Sequence, residues 1–143
     1  LIIFENDLHV DSLRNLISRY KYVFTVFLEN NDRIIKLSSA VINFKINLLK
    51  EFSNKFSNIK MVSSTELINE LKEIKSVDLI YPSIGDNYEF IKLIQKKHKI
   101  KFKNLVRPED LYSWQFAKKG FFNFKKNIAS INNFLVKPDS LWR

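Results

Sequence analysis

Five short apolar runs punctuate the chain, at residues 1–4, 22–28, 59–62, 77–81 and 100–106. The first four are nearly continuous, as strands covered on both faces of a parallel sheet are. The fifth mixes Ile100, Phe102, Leu105 and Val106 with lysines, a pattern that suits a sheet edge. Between the runs, apolar residues recur at three-to-four spacing: Leu13, Leu16 and Ile17; then Leu37, Val41, Phe44, Leu48 and Phe52; then Leu67, Leu71 and Ile74; then Phe90, Ile91 and Ile94. Alternation of this kind predicts an α/β fold, a Rossmann-like doubly wound sandwich with a five-stranded parallel sheet and helices on both faces.

Helix starts are also marked. Ser63 and Glu66 have capping-box spacing, as do Asp86 and Glu89, where the Asp86 carboxylate is expected to accept first-turn N–H groups. The α/β domain is expected over residues 1–106. Arg107-Pro108-Glu109-Asp110 is turn chemistry, and residues 107–143 form a helical extension packed on or following that domain. In it Phe121, Phe124, Ile128, Ile131 and Leu135 make an apolar helical stripe, and Lys118, Lys119, Lys125 and Lys126 recur seven apart beside it. The pattern reads as a closing helix, with Trp114, Phe121, Phe124 and Lys125 as a candidate partner-docking surface.

A hydrophobic fraction of 45% in 143 residues supports a real core and argues against disorder. No apolar run approaches the roughly 18–20 residues that span a bilayer, so no membrane partner is expected. The absence of cysteine removes disulfides, thiolate metal sites and a thiol nucleophile, and fits a cytoplasmic protein. A first residue other than Met suggests trimming or a fragment. The net charge of +9 invites a nucleic-acid reading, carried by lysines in 96–103 and the terminal helix. A composition rich in Lys, Asn, Ile and Phe is also what an AT-rich coding sequence yields without selection for a partner.

Catalytic signatures are missing. With only Gly85 and Gly120, no glycine cradle for phosphates can form, and neither G-x-S-x-G nor H-E-x-x-H occurs. His9 and His98 stand far apart; one histidine near Glu5, Asp7 and Asp11 is a weak metal signal, and no metal is expected. The candidate ligand residues follow from topology instead. In open α/β sheets ligands bind beyond the carboxyl ends of the strands. That places Asn6 and Asp7 after the first strand, Glu29 after the second, and Ser83 and Asp86 after the fourth.

The segment Phe4-Glu5-Asn6-Asp7-Leu8-His9-Val10 resembles the first strand and loop of the photolyase/cryptochrome family, W-F-R-N-D-L-R-[LV]. Asn6, Asp7, Leu8 and Val10 match and Phe4 keeps its place, whereas Glu5 and His9 replace the two arginines and Ile3 the tryptophan. "DLIYPSIGDNYEFIKLIQ" is similar to the family's fourth strand, loop and helix. "GFFNFKKNI" resembles T-P-F-x-K-x-W through Phe124 and Lys125, without the proline. The resemblance implies the N-terminal antenna domain without the FAD-binding helical domain, non-catalytic on its own, in light-dependent DNA repair or signalling. It implies an antenna chromophore of the deazaflavin, flavin or folate type near Asn6 and Asp7. The implied partner is a separate FAD-binding helical domain or a second copy of this chain. Replacing an arginine by Glu5 takes a cation from that mouth, which disfavours a phosphate-bearing ligand. The alternative reading is a basic α/β nucleic-acid-binding module; an autonomous nucleotide-dependent enzyme ranks last.

Overall fold

A computed structural model of the chain describes residues 1–82, 84–118 and 120–135. The chain divides into two compact units, Leu1–Asn104 and Leu105–Arg143. In the first, strands β1 (Ile2–Phe4), β2 (Val23–Phe27), β3 (Ile59–Ser63), β4 (Ser76–Ile80) and β5 (Lys101–Leu105) form one parallel sheet in the order β3-β2-β1-β4-β5. Helices α1 (Val10–Ile17), α2 (Ser39–Ser53), α3 (Ser64–Glu70) and α4 (Asp86–His98) connect them. This is the doubly wound, Rossmann-like architecture expected from the alternation, with the lysine-bearing fifth strand at an edge.

The central strand is short and every residue in it is buried. Its register sets Ile2 against Phe24 on one side and Leu79 on the other, and Ile3 against Thr25. Successive side chains on a strand face opposite ways. Ile2, Phe4, Phe24, Val26, Val62 and Leu79 therefore share one face, which packs against Leu67 of α3, Leu71 at its C-cap, and Phe90, Ile91 and Ile94 of α4. Ile3 and Thr25 point to the other face, where the Thr25 and Ser53 hydroxyls lie 2.8 Å apart and Ser53 Oγ donates to the Leu49 carbonyl at 2.7 Å. These bonds satisfy two buried hydroxyls and fix α2 on that face.

Two expectations for the helices fail. Leu37 lies outside α2, which begins at Ser39 after Ser38 caps it by accepting from the Val41 N–H at 3.4 Å. Val41 and Phe44 are exposed; the buried positions are Leu49, Phe52 and Ser53, with Lys45 half-buried on the same side. The helix is turned so that Ile42, Lys45 and Leu49 line its inner side, and Lys45 thereby reaches the end of β1.

The Ser63–Glu66 capping box forms as expected, with the Ser63 hydroxyl accepting from the Glu66 N–H at 3.2 Å and Glu66 accepting from the Ser63 N–H at 2.7 Å. At α4 the expected cap does not form. Gly85, with φ 141°, takes the N-cap position, a left-handed backbone that glycine adopts without penalty, so Asp86 becomes the first helical residue and its carboxylate turns elsewhere.

In the second unit α5 (Pro108–Ala117), α6 (Phe121–Lys126) and α7 (Ile128–Leu135) pack on one another. The single closing helix is therefore broken. Gly120 (φ 80°) starts α6, and at Asn127 the backbone N–H bonds the Phe124 carbonyl at 3.0 Å, which closes a tight turn before α7. Ile131 is buried, whereas Phe121 and Ile128 are exposed, so the expected stripe does not lie on one buried face.

Candidate functional site

The crossover from β3 to β4 passes to the far side of β1, so the connections leaving β1 and β4 diverge and open a crevice at their carboxyl ends. A cleft of about 210 Å³ lies there. Each wall is delivered by a different element. Glu5 and Asn6 come from the turn after β1, Arg33 from the loop after β2, Lys45 from α2, and Ile84 to Asn87 from the start of α4.

The loop that carries Arg33 is held by Asn30. Its side-chain amide donates to the Leu37 carbonyl at 3.0 Å and accepts from the Leu37 N–H at 2.9 Å, while Lys36 Nζ donates to the Asn30 carbonyl. Arg33 Nε then donates to the Leu28 carbonyl at 2.9 Å, which aims the guanidinium back at the crevice. There Nη2 lies 3.6 Å from Glu5 Oε1 and Nη1 lies 3.5 Å from Asp86 Oδ2; the Glu5 and Arg33 side chains are each only 4% exposed. Lys45 Nζ sits 2.6 Å from the same Glu5 oxygen. Asn87 Nδ2 donates to Glu5 Oε2 at 3.5 Å, and the Ile34 N–H donates to Asp86 Oδ1 at 3.1 Å. Two carboxylates and two cations thus neutralise one another around a buried centre.

Such a set carries little net attraction for a charged ligand, and its chemistry is that of hydrogen bonding. Glu5 Oε2 has only the long bond from Asn87, and Asn87, 6% exposed, has no hydrogen-bond partner at Oδ1 among the described residues. Exposed Asn6 adds a donor and an acceptor at the rim, and Ile84, 90% exposed, gives an apolar lip.

Of the residues singled out in the sequence, Asn6 and Asp86 meet in this cleft. Asp7 is buried with a partner of its own and does not line it. Glu29 also stands apart. It accepts from the Thr65 hydroxyl at 2.7 Å, the Thr65 N–H at 3.4 Å and the Ser64 hydroxyl at 3.3 Å, across the start of α3. Those bonds, the Thr65 hydroxyl first, hold its carboxyl below the usual range. Ser83 lies outside the described residues. His9 caps α1, accepting from the Ser12 N–H at 3.2 Å. Among the described residues no three His, Asp or Glu side chains gather as a metal site.

Sequence reasoning missed Arg33, Lys45 and Asn87. The mouth that seemed to lose a cation holds two. In the second unit Trp114, Phe121 and Lys125 are exposed, Phe124 is half-buried, and the adjoining Phe122, not singled out before, is exposed as well.

A second cavity, of about 300 Å³, opens at the amino ends of the strands among Tyr20, Tyr22, Phe24, Leu71, Ile74 and Asp78. It is away from the switch point. Tyr20 donates to Asp78 Oδ2 at 2.5 Å, and burial followed by that bond pushes the phenol well above its ordinary pKa. No helix among the described residues is long and apolar enough to cross a membrane.

Comparison with protein-family models, curated proteins and solved structures finds no match. Fold and cleft therefore carry the assignment: a Rossmann-like α/β domain with a small, charge-balanced crevice at its topological switch point.

Proposed function

We propose that the chain is a ligand-binding α/β domain of the photolyase/cryptochrome-like kind, non-catalytic on its own, whose switch-point cleft receives the polar edge of an antenna-type heterocycle. The observation that carries this reading is the open hydrogen-bonding capacity of Glu5, Asn6 and Asn87 at the mouth of an otherwise neutralised cluster. At about 210 Å³ the cleft is smaller than the ~300–1,000 Å³ of pockets that enclose a drug-sized ligand. A ring edge enters it, and the remaining rings lie outside against Ile84. A flavin, deazaflavin or pterin edge alternates donors and acceptors, which suits carboxylate and amide partners. The exposed Trp114, Phe121 and Phe122 offer a partner domain apolar area, and each such side chain fully buried contributes roughly 1.5–3 kcal/mol.

The test is spectroscopic. The purified chain is examined for bound chromophore and then titrated with a flavin, a deazaflavin and a reduced folate. Binding of one of them, weakened about fivefold in Asn6→Ala, is expected, since one net hydrogen bond is worth about 1 kcal/mol. A colourless chain that takes up none of the three refutes the reading.

A further inference from the structure

A second, basic surface lies away from the cleft, where α4 ends and β5 begins. Lys96, Lys97, Lys99, Lys101 and Lys103 are all exposed, and among the described residues none has an ion pair or side-chain hydrogen bond. Lys45, Lys60 and Lys92, by contrast, each face a carboxylate. No Asp or Glu occurs from residue 90 to residue 108, so nothing in the local chain offsets the charge.

The five lie on consecutive elements around one edge of the sheet. Lys96 and Lys97 lie in the last turn of α4, Lys99 is its C-cap, and Lys101 and Lys103 lie on β5, the last strand of the sheet. Phe102 turns inward against the core on the α4 side, so Lys101 and Lys103 project together to the opposite side of the edge strand. Two residues of strand span about 6.6 Å, a separation comparable with that of successive phosphates on an extended single strand.

Ordinary structural roles explain the set only in pieces. Edge lysines discourage strand pairing, which covers Lys101 and Lys103. Cations at a helix C-terminus favour the dipole, which covers Lys96 and Lys97. Lys99, at the C-cap, shares the dipole role but stands out by its backbone. It holds the left-handed conformation (φ 54°), the only non-glycine among the described residues with positive φ, at a site where glycine would avoid strain. A cation stands there against local conformational preference, midway between the other two pairs.

We propose that the α4 C-terminal turn and the β5 edge form a binding surface for the phosphate backbone of single-stranded nucleic acid, independent of base sequence. The surface is separate from the switch-point cleft and does not depend on what that cleft binds.

The test is fluorescence anisotropy of a labelled oligothymidylate with the full chain, across salt concentrations from about 50 to 200 mM. If all five lysines meet phosphates, the logarithm of the association constant falls with that of salt at a slope of about −3.5, from ~0.7 per contact on a single strand. K97Q/K101Q/K103Q is expected to flatten the slope by about 2.1. K97R/K101R/K103R should retain it, and K50Q/K55Q/K72Q, which removes equal charge elsewhere, should leave it unchanged. Far-UV circular dichroism and sedimentation check that each variant is folded and monomeric. Equal losses in the two glutamine variants, tighter binding of duplex than of single strand, or no binding at the lowest salt would each overturn the proposal. So would loss of binding to anionic vesicles in K97Q/K101Q/K103Q with no oligonucleotide binding by the parent chain.

Discussion

Removing Glu5 tests whether the cluster at the switch point is truly a buried ion network. In Glu5→Leu, the Arg33 guanidinium loses its contact at 3.6 Å while its side chain stays 4% exposed. Breaking a buried pair from one side typically costs about 3–5 kcal/mol. Here Arg33 keeps Asp86 at 3.5 Å and the Leu28 carbonyl at 2.9 Å, so the lower end, about 3 kcal/mol, is expected. Lys45 is partly exposed and can return to water, which adds little. Arg33→Met leaves Glu5 with Lys45 and Asn87 and is expected to cost about 2 kcal/mol, the range for orphaning a buried polar partner. The double variant removes both charges and exchanges them for apolar volume, so it should be more stable than Glu5→Leu alone by at least about 1 kcal/mol. Urea unfolding followed by far-UV circular dichroism is the assay, because both tryptophans, Trp114 and Trp142, fall in the second unit's stretch of sequence and would report on the wrong part. The matching thermal shift for Glu5→Leu is roughly 6–12 °C. Single variants within about 0.5 kcal/mol of the parent, adding without coupling, would show that these groups are hydrated and that the network argument is wrong.

Two further outcomes follow from the geometry. Glu29 is held below its ordinary pKa by the Thr65 hydroxyl, so its contribution is present above the unfolded carboxyl range and is lost as pH falls through the depressed value. Glu29→Gln should therefore flatten the acid limb of stability below about pH 4.5, and a parent-like acid limb in that variant would refute the assignment. Tyr20→Phe removes the donor to Asp78 and should cost about 1–2 kcal/mol in urea unfolding, a bond to a charged acceptor discounted for partial exposure; no change would mean that water replaces the phenol without loss.

The strands were legible because short runs dominated by Ile, Val, Phe and Leu, four to seven residues long and set between helical patterns, have few other homes; each expected run overlaps its strand to within one residue at either end. The Ser63 cap was legible for a similar reason, since its hydroxyl and the Glu66 carboxylate satisfy one another locally. The face of α2 was not. Val41, Phe44 and Leu48 make one apolar stripe and Ile42, Ile46 and Leu49 another, so periodicity could not choose between them, and only packing on the sheet did. That ambiguity hid Lys45. Arg33 had no local signal at all, because its position is fixed by Asn30 folding the loop and by a carbonyl at the end of β2. Asp86 was assigned a cap that Gly85 takes instead, leaving its carboxylate for a loop more than fifty residues earlier in the chain. Local chemistry was readable; closure between distant elements was not.

The same closure explains why two cations at a switch point do not make this cleft a phosphate site. Phosphate-binding α/β domains bring backbone N–H groups to the ligand on a glycine-rich turn after the first strand. Here that turn carries Glu5, whose carboxylate already sits 2.6 Å from Lys45 and 3.6 Å from Arg33. An incoming dianion finds two cations whose charge Glu5 already offsets. Neutralising that charge while keeping its shape should reverse the outcome. In Glu5→Gln, Lys45 and Arg33 face the cleft with only Asp86 to offset them, and inorganic phosphate should raise the unfolding midpoint of the variant. At a hundredfold excess over its dissociation constant the expected gain is about 2.7 kcal/mol. The parent should show only the general salt effect common to both proteins. An equal rise in parent and variant would mean that Glu5 does not guard the cleft.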